Sequence, residues 1–156
     1  MPVNPKKIKR IVIHHTATPL NATFDFVKQI GIDRGFGDIS YNVLITSDGR
    51  VHKGRPLSAT PAHCKADGAN YDSIGIALTG DFTITNPTQA QLKSLDEVLL
   101  AYNKQYGLTQ KDNYAHCEIP GASTACPGVL KNWVVKYRQC RTREQLIRLI
   151  KKIIWK

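Results

Sequence analysis

The chain of 156 residues contains no long hydrophobic run near its start. Behind the basic residues of MPVNPKKIKRIVIHH the apolar stretch is only Ile11 to Ile13. That is too short for the core of a secretory signal or for a membrane span, so synthesis in the cytosol is expected. No two of the cysteines, at positions 64, 117, 126 and 140, stand at a C-x-x-C separation. Four cysteines allow three disulfide pairings, but irregular spacing in a cytosolic setting favours mostly free thiols. Internal repeats and low-complexity linkers are absent, and the length suits one domain. An H-E-x-x-H run is also missing, which excludes the helix that pairs two zinc ligands with a glutamate base. Acidic residues are few: 12 Asp and Glu face 22 Lys and Arg, for a net charge of +10. An excess of this kind concerns partners, not fold. Nucleic acid, an anionic membrane face and an acidic cell-wall polymer would all suit it. Zinc-finger spacing, an aromatic-rich RNA-binding signature and a clear helix-turn-helix are all lacking, so no nucleic-acid partner is expected.

What is present alternates between strands and helices. Ile11-Val12-Ile13 reads as a buried strand. Phe24, Val27 and Ile30 recur at helical spacing over 23–34, with Gly35 as the stop. SYNVLITSDGRVHKGRP reads as a hairpin: Tyr41 to Ile45 forms one arm, Ser47-Asp48-Gly49 the turn, and Val51 opens the other. SIGIALTG is a strand whose small residues permit close backbone approach. A long helix carries Leu92, Leu95, Val98, Leu99 and Tyr102. Asn86 or Thr88 is its cap, Pro87 lies in its first turn, and Gly107 ends it. Val129 to Val135 begins another helix. In EQLIRLIKKIIWK, at about 100° per residue, Leu146, Ile147, Leu149, Ile150, Ile153 and Ile154 fall within an arc of about 160°. Arg148, Lys151, Lys152 and Lys156 fall opposite, with Trp155 near the end. The pattern predicts an α/β domain, a central mixed sheet flanked by helices. Residues 1–136 would form the domain proper, and 137–156 a cationic amphipathic helix that packs on it or grips the envelope.

Candidate metal ligands lie at three places: His14 and His15 at the end of the first strand, His63 and Cys64 in a loop, and His116, Cys117 and Cys126 in the segment AHCEIPGASTACPG. Imidazole and thiolate together suit zinc, and a catalytic zinc needs three protein ligands and an open position. Alternation along a strand sends His15 to the face opposite His14, so only one of the pair belongs in such a site. Glu118 either orients a ligand or is a solvated surface charge.

Four motifs occur in order: IVIHHTAT, SYNVLITSDGRVHKGRP, NYDSIGIALTGDF and HCEIPGASTACPG. Together, over about residues 8–135, they resemble the type 2 N-acetylmuramoyl-L-alanine amidase and peptidoglycan-recognition-protein superfamily, especially the small phage endolysins of the T7 lysozyme kind. The resemblance implies one zinc ion at an edge of the sheet, held by His14, His116 and Cys126. It implies that Tyr41 and Thr124 work at the metal, and that His63 and Asn70 line the groove for the peptide. Phage members often carry lysine where this chain has Thr124; recognition amidases carry threonine. Animal recognition proteins usually have a disulfide after the first strand, whereas no cysteine precedes Cys64 here, which favours a phage or bacterial origin. Cys126 separates the chain from the cytosolic amidases that recycle wall fragments, which usually ligate zinc with aspartate. The implied activity is hydrolysis of the amide between N-acetylmuramic acid and L-alanine by a monomeric endolysin made in the host cytoplasm and released to the wall. The alternatives are a recognition protein that holds peptidoglycan without cutting it and a recycling amidase. Anionic envelope or membrane, met through the C-terminal helix, is the further partner the charge pattern suggests.

Overall fold

The computed structural model describes residues 7–59 and 62–153. In chain order it forms β1 (Arg10–His15), α1 (Phe24–Asp33), β2 (Val43–Ile45), β3 (Val51–Lys53), the short α2 (Ala69–Asp72), β4 (Ser73–Leu78), α3 (Gln89–Tyr106), β5 (Asn113–Ala115), α4 (Leu130–Gln139) and α5 (Arg143–Ile153). The five strands make one mixed sheet in the order β3-β2-β4-β1-β5. β1 pairs in parallel with β4 and β5, β2 pairs in parallel with β4, and only the hairpin strand β3 runs antiparallel. An inner strand of a parallel sheet is covered on both faces and so reads as a continuous apolar run. That is why Ile11-Val12-Ile13 is fully buried.

The period of two divides β4 sharply. Ile74, Ile76 and Leu78 join Ile11, Ile13, Val43 and Ile45 on one face. There α3 lays down Leu92, Leu95 and Leu99, and α4 adds Leu130, Trp133 and Val134. The other face of β4 carries Ser73, Gly75 and Ala77, beside Val12 and His14 of β1. It is covered by α1 and by the chain around residues 62–72, in two smaller clusters around Leu44 and Val12. The large core therefore lies on one side of the sheet, and the small side chains on the other side leave room for imidazole rings.

Local signals place most boundaries. Thr23 caps α1 by accepting from the Phe26 N–H at 3.1 Å. Thr88 and Gln91 form a reciprocal capping box at the start of α3. Pro87 stands outside that cap and not in the first turn, because Thr88, not Asn86, is the residue whose side chain reaches back to the third helical N–H. α4 runs from Leu130 to Gln139, beyond the Val135 expected from sequence: Tyr137 extends the apolar face by stacking on Trp133 at a centroid distance of 5.0 Å.

α5 packs by its apolar face. Leu146, Leu149 and Ile150 are buried against α3 and α4, and Arg143 bonds the Asp96 carboxylate of α3 at 2.8 Å. The apolar arc is wider than the buried stripe, since Ile147 is 48% exposed. Ile154, Trp155 and Lys156 of that arc and its flank lie outside the described residues. Among the described residues, no helix is long and apolar enough to cross a membrane. All four cysteines are free thiols.

Candidate metal centre

Parallel strands present their carboxyl ends along one edge of the sheet, and ligands collect there in α/β folds. β1 ends in His14-His15, and β5 runs directly into His116. Because the β1–β5 register sets Ile13 opposite Ala115, His14 and His116 emerge side by side. His15 turns to the other face, where its Nδ1 accepts the Phe82 N–H at 3.0 Å. It serves structure, as strand alternation requires.

Cys126 arrives from a loop that the backbone holds firmly. Its N–H donates to Thr124 Oγ1 at 3.1 Å, its carbonyl accepts the Cys117 N–H at 3.0 Å, and its sulfur accepts the His15 N–H at 3.4 Å. Two residues on, Gly128 has φ +64°, and a Cβ there would lie 2.2 Å from the Phe82 carbonyl oxygen. The next N–H, of Val129, donates to that same oxygen at 2.8 Å. Phe82 thus ties the His15 ring to the chain that carries Cys126.

One ligand atom each from His14, His116 and Cys126 lies within 4.8 Å of the other two. Among the described residues this is the one group of such side chains close enough to hold an ion. His14 Nδ1 stands 3.7 Å from Cys126 Sγ, and the rings of His14 and His116 are 4.6 Å apart. Burial, and then the neighbouring imidazoles of His63, His116 and His15, hold His14 far below the ordinary histidine range. Burial likewise lowers His116. Burial pushes the Cys126 thiol up to about 12. The donor set is therefore two neutral imidazoles and a thiol that a nearby cation would deprotonate. Three N and S donors without a fourth protein ligand match a catalytic zinc centre, so these residues fit a zinc ion.

Glu118, left open between two roles, acts on the backbone. Its Oε2 accepts the Ala115 N–H at 2.9 Å, and Arg138 of α4 grips both oxygens at 2.8 and 2.6 Å. A bidentate pair of this kind fixes geometry as well as charge. It pins to α4 the turn that presents His116.

The remaining candidates surround the trio. The Tyr41 ring lies 5.3 Å from that of His14, and its hydroxyl bonds no other described residue. Burial, and then Cys126, raise its pKa, with Arg34 opposing, so the phenol keeps its proton. Thr124 is half-buried, and its hydroxyl accepts from Cys126 while donating to no other described residue. His63 is buried, with Nδ1 3.0 Å from His14 Nε2. Asn70 Oδ1 accepts the N–H groups of both His63 and Cys64, at 2.9 and 2.8 Å, and holds that loop closed. The same asparagine borders an open cleft of about 440 Å³, lined also by Gly35, Phe36, Arg55, Ala62, Lys65 and Tyr71. The sequence reading missed Ser73, which bonds His63 from β4. Its one signal was the small-residue face of SIGIAL.

Residues 4–129 match the N-acetylmuramoyl-L-alanine amidase family. The chain is 33% identical over 132 residues to the endolysin of Escherichia phage T7, covering 79% of this chain and 83% of that one. It is 30% identical over 141 residues to the human N-acetylmuramoyl-L-alanine amidase, covering 79% of this chain but only 24% of that longer protein. The solved structure of the N-acetylmuramoyl-L-alanine amidase LysC from Clostridium intestinale URNW superposes with a TM-score of 0.70 at 32% identity, over 82% of each chain.

Proposed function

Since the chain belongs to the N-acetylmuramoyl-L-alanine amidase family, we propose that it hydrolyses the amide between the lactyl group of N-acetylmuramic acid and the L-alanine of the peptidoglycan stem, with one zinc ion held by His14, His116 and Cys126. The observation that carries this reading is the convergence of those three donors, with Tyr41 beside them, at the carboxyl edge of the sheet.

Zinc supplies Lewis acidity, which acidifies water and polarises an amide carbonyl. The chain's own residues do the rest. Addition of water to the lactyl carbonyl, with release of one of the water's protons, places negative charge on the carbonyl oxygen. Tyr41, kept protonated by burial, donates a hydrogen bond to that oxygen. The free hydrogen of Thr124 offers a second. The carbon–nitrogen bond then breaks, the carbonyl keeps the hydroxyl, and the alanine nitrogen leaves with the proton that the water released. The cleft beyond Asn70 is the proposed seat of the stem peptide, close to His63.

Turbidity of purified sacculi tests the reading, with and without a zinc chelator, followed by mass analysis of the soluble products. The expected result is chelator-sensitive release of stem peptides that begin with L-alanine, from intact glycan strands. Binding without release, or cut glycan, would overturn it. A phage or prophage endolysin, made in the host cytoplasm and acting on the wall after release, is the role that agrees with the T7 relative.

The exposed face of α5 carries Arg148, Lys151 and Lys152 and is the proposed contact for anionic envelope. Deleting the helix would confound a test, because Leu146, Leu149 and Ile150 belong to the core. Reversing Lys151 and Lys152 to glutamate leaves that core intact. The double variant is expected to sediment less with anionic vesicles at low salt and to hydrolyse soluble muropeptide as before. Equal sedimentation would remove the envelope role.

A further inference from the structure

We propose that His63 is a positioning residue for the metal site: with Ser73 and the Ala69 carbonyl it holds His14 as the Nε2–H tautomer and leaves Nδ1 free for zinc. The inference rests on the reading of His14 as a zinc ligand.

The proton positions follow from the chain of contacts. Ser73 Oγ lies 2.5 Å from the Ala69 carbonyl oxygen, which can only accept. The single hydroxyl hydrogen is therefore spent there. Ser73 Oγ also lies 3.3 Å from His63 Nε2, so toward that nitrogen it is an acceptor, and Nε2 carries hydrogen. A neutral imidazole has one N–H, so His63 Nδ1 presents a lone pair. His14 Nε2, 3.0 Å from that lone pair, must be the donor. The remaining nitrogen of His14, Nδ1, is the one that faces Cys126 Sγ at 3.7 Å. The direction begins at a backbone carbonyl and ends at the nitrogen beside the thiol. Metal-bound histidines are generally oriented in this way by a partner on the other ring nitrogen.

Two further features hold His63 in place. Asn70 Oδ1 accepts its backbone N–H at 2.9 Å. Its ring rests on Gly75, where a Cβ would lie 2.5 Å from His63 Cγ. The absent side chain in β4 is thus the space the imidazole occupies.

The test is zinc affinity of the full chain, stripped of metal and titrated against a chromophoric chelator, with long-range ¹H–¹⁵N spectra of the zinc-free imidazoles. His63→Leu is expected to weaken zinc binding about 10–100-fold, the usual loss when a ligand's orienting partner is removed. His63→Gln is expected to restore most of it, because its amide oxygen accepts from His14 while its NH₂ donates to Ser73. Gly75→Ala keeps every polar group, displaces the ring, and is expected to weaken zinc in the same direction. The spectra are expected to show His14 protonated on Nε2 in the wild type and a mixture of tautomers in His63→Leu. Unchanged zinc affinity in His63→Leu with a raised KM would assign His63 to the groove and overturn the relay. Equal losses in the Leu and Gln variants would also overturn it, as the ring would then only pack. Failure of the wild type to bind zinc would bring down the metal reading and the relay with it; wild-type binding matched by all variants would bring down the relay alone.

Discussion

Cys126→Ala is expected to lower zinc affinity by more than about a hundredfold and to reduce sacculus hydrolysis to that of chelator-treated protein. Loss of a group that merely orients a ligand costs about 10–100-fold, so loss of a ligand should cost more. In the proposed site Cys126 is also the donor that would become anionic on binding, and two neutral imidazoles would not replace that charge. Its surroundings favour the thiolate once a cation is near, because the His15 N–H points at the sulfur from 3.4 Å. The fold should survive. The anchors of this loop are main-chain bonds: the carbonyl of residue 126 accepts from Cys117, and the Val129 N–H donates to Phe82. Circular dichroism alongside the zinc titration separates loss of metal from loss of fold. A Cys126→Ala protein that kept wild-type zinc affinity would remove this residue from the metal site.

Tyr41→Phe is expected to lower kcat about 10²–10³-fold, the usual effect of losing one donor to a developing oxyanion. KM and zinc affinity are expected to stay close to wild type. The change deletes one oxygen that bonds no other described residue, so little else is disturbed. Burial keeps the phenol protonated at neutral pH, which makes it a donor and not a base. Steady-state kinetics on a soluble muropeptide, with zinc content measured on the same sample, checks both parts. A fall in zinc content that accounted for the lost rate would make Tyr41 a packing neighbour of His14 and not a catalytic group.

Much of the scaffold was legible because its signals are local. Thr23, Thr88 and Gly107 mark helix ends through bonds made within a few residues. The hairpin, the apolar run of β1 and the stripe of α3 follow from periods of two and of 3.6. β5 was not legible, since three residues, Asn113 to Ala115, carry no period. It is a strand because β1 offers an open parallel edge. The extent of α4 was also hidden, as it depends on Tyr137 meeting Trp133. In the site, the four motifs named His14, His116 and Cys126, but not the roles of Glu118, Ser73 and Gly75. For Glu118 the sequence leaves a ligand-orienting role and a solvated surface charge both open, because its partner Arg138 lies twenty residues on.

By its sequence alone this chain determined an α/β domain, a basic surface, the ordered motifs of an amidase family and the three candidate donors. Those properties are written in residue type and short-range spacing. Only the tertiary structure decided which nitrogen of the His14 ring faces the thiol, and that His63 lies against the other. The reason is physical. Hydrogen-bond direction depends on partners 49 and 111 residues distant, brought together by sheet register and by the space above a glycine.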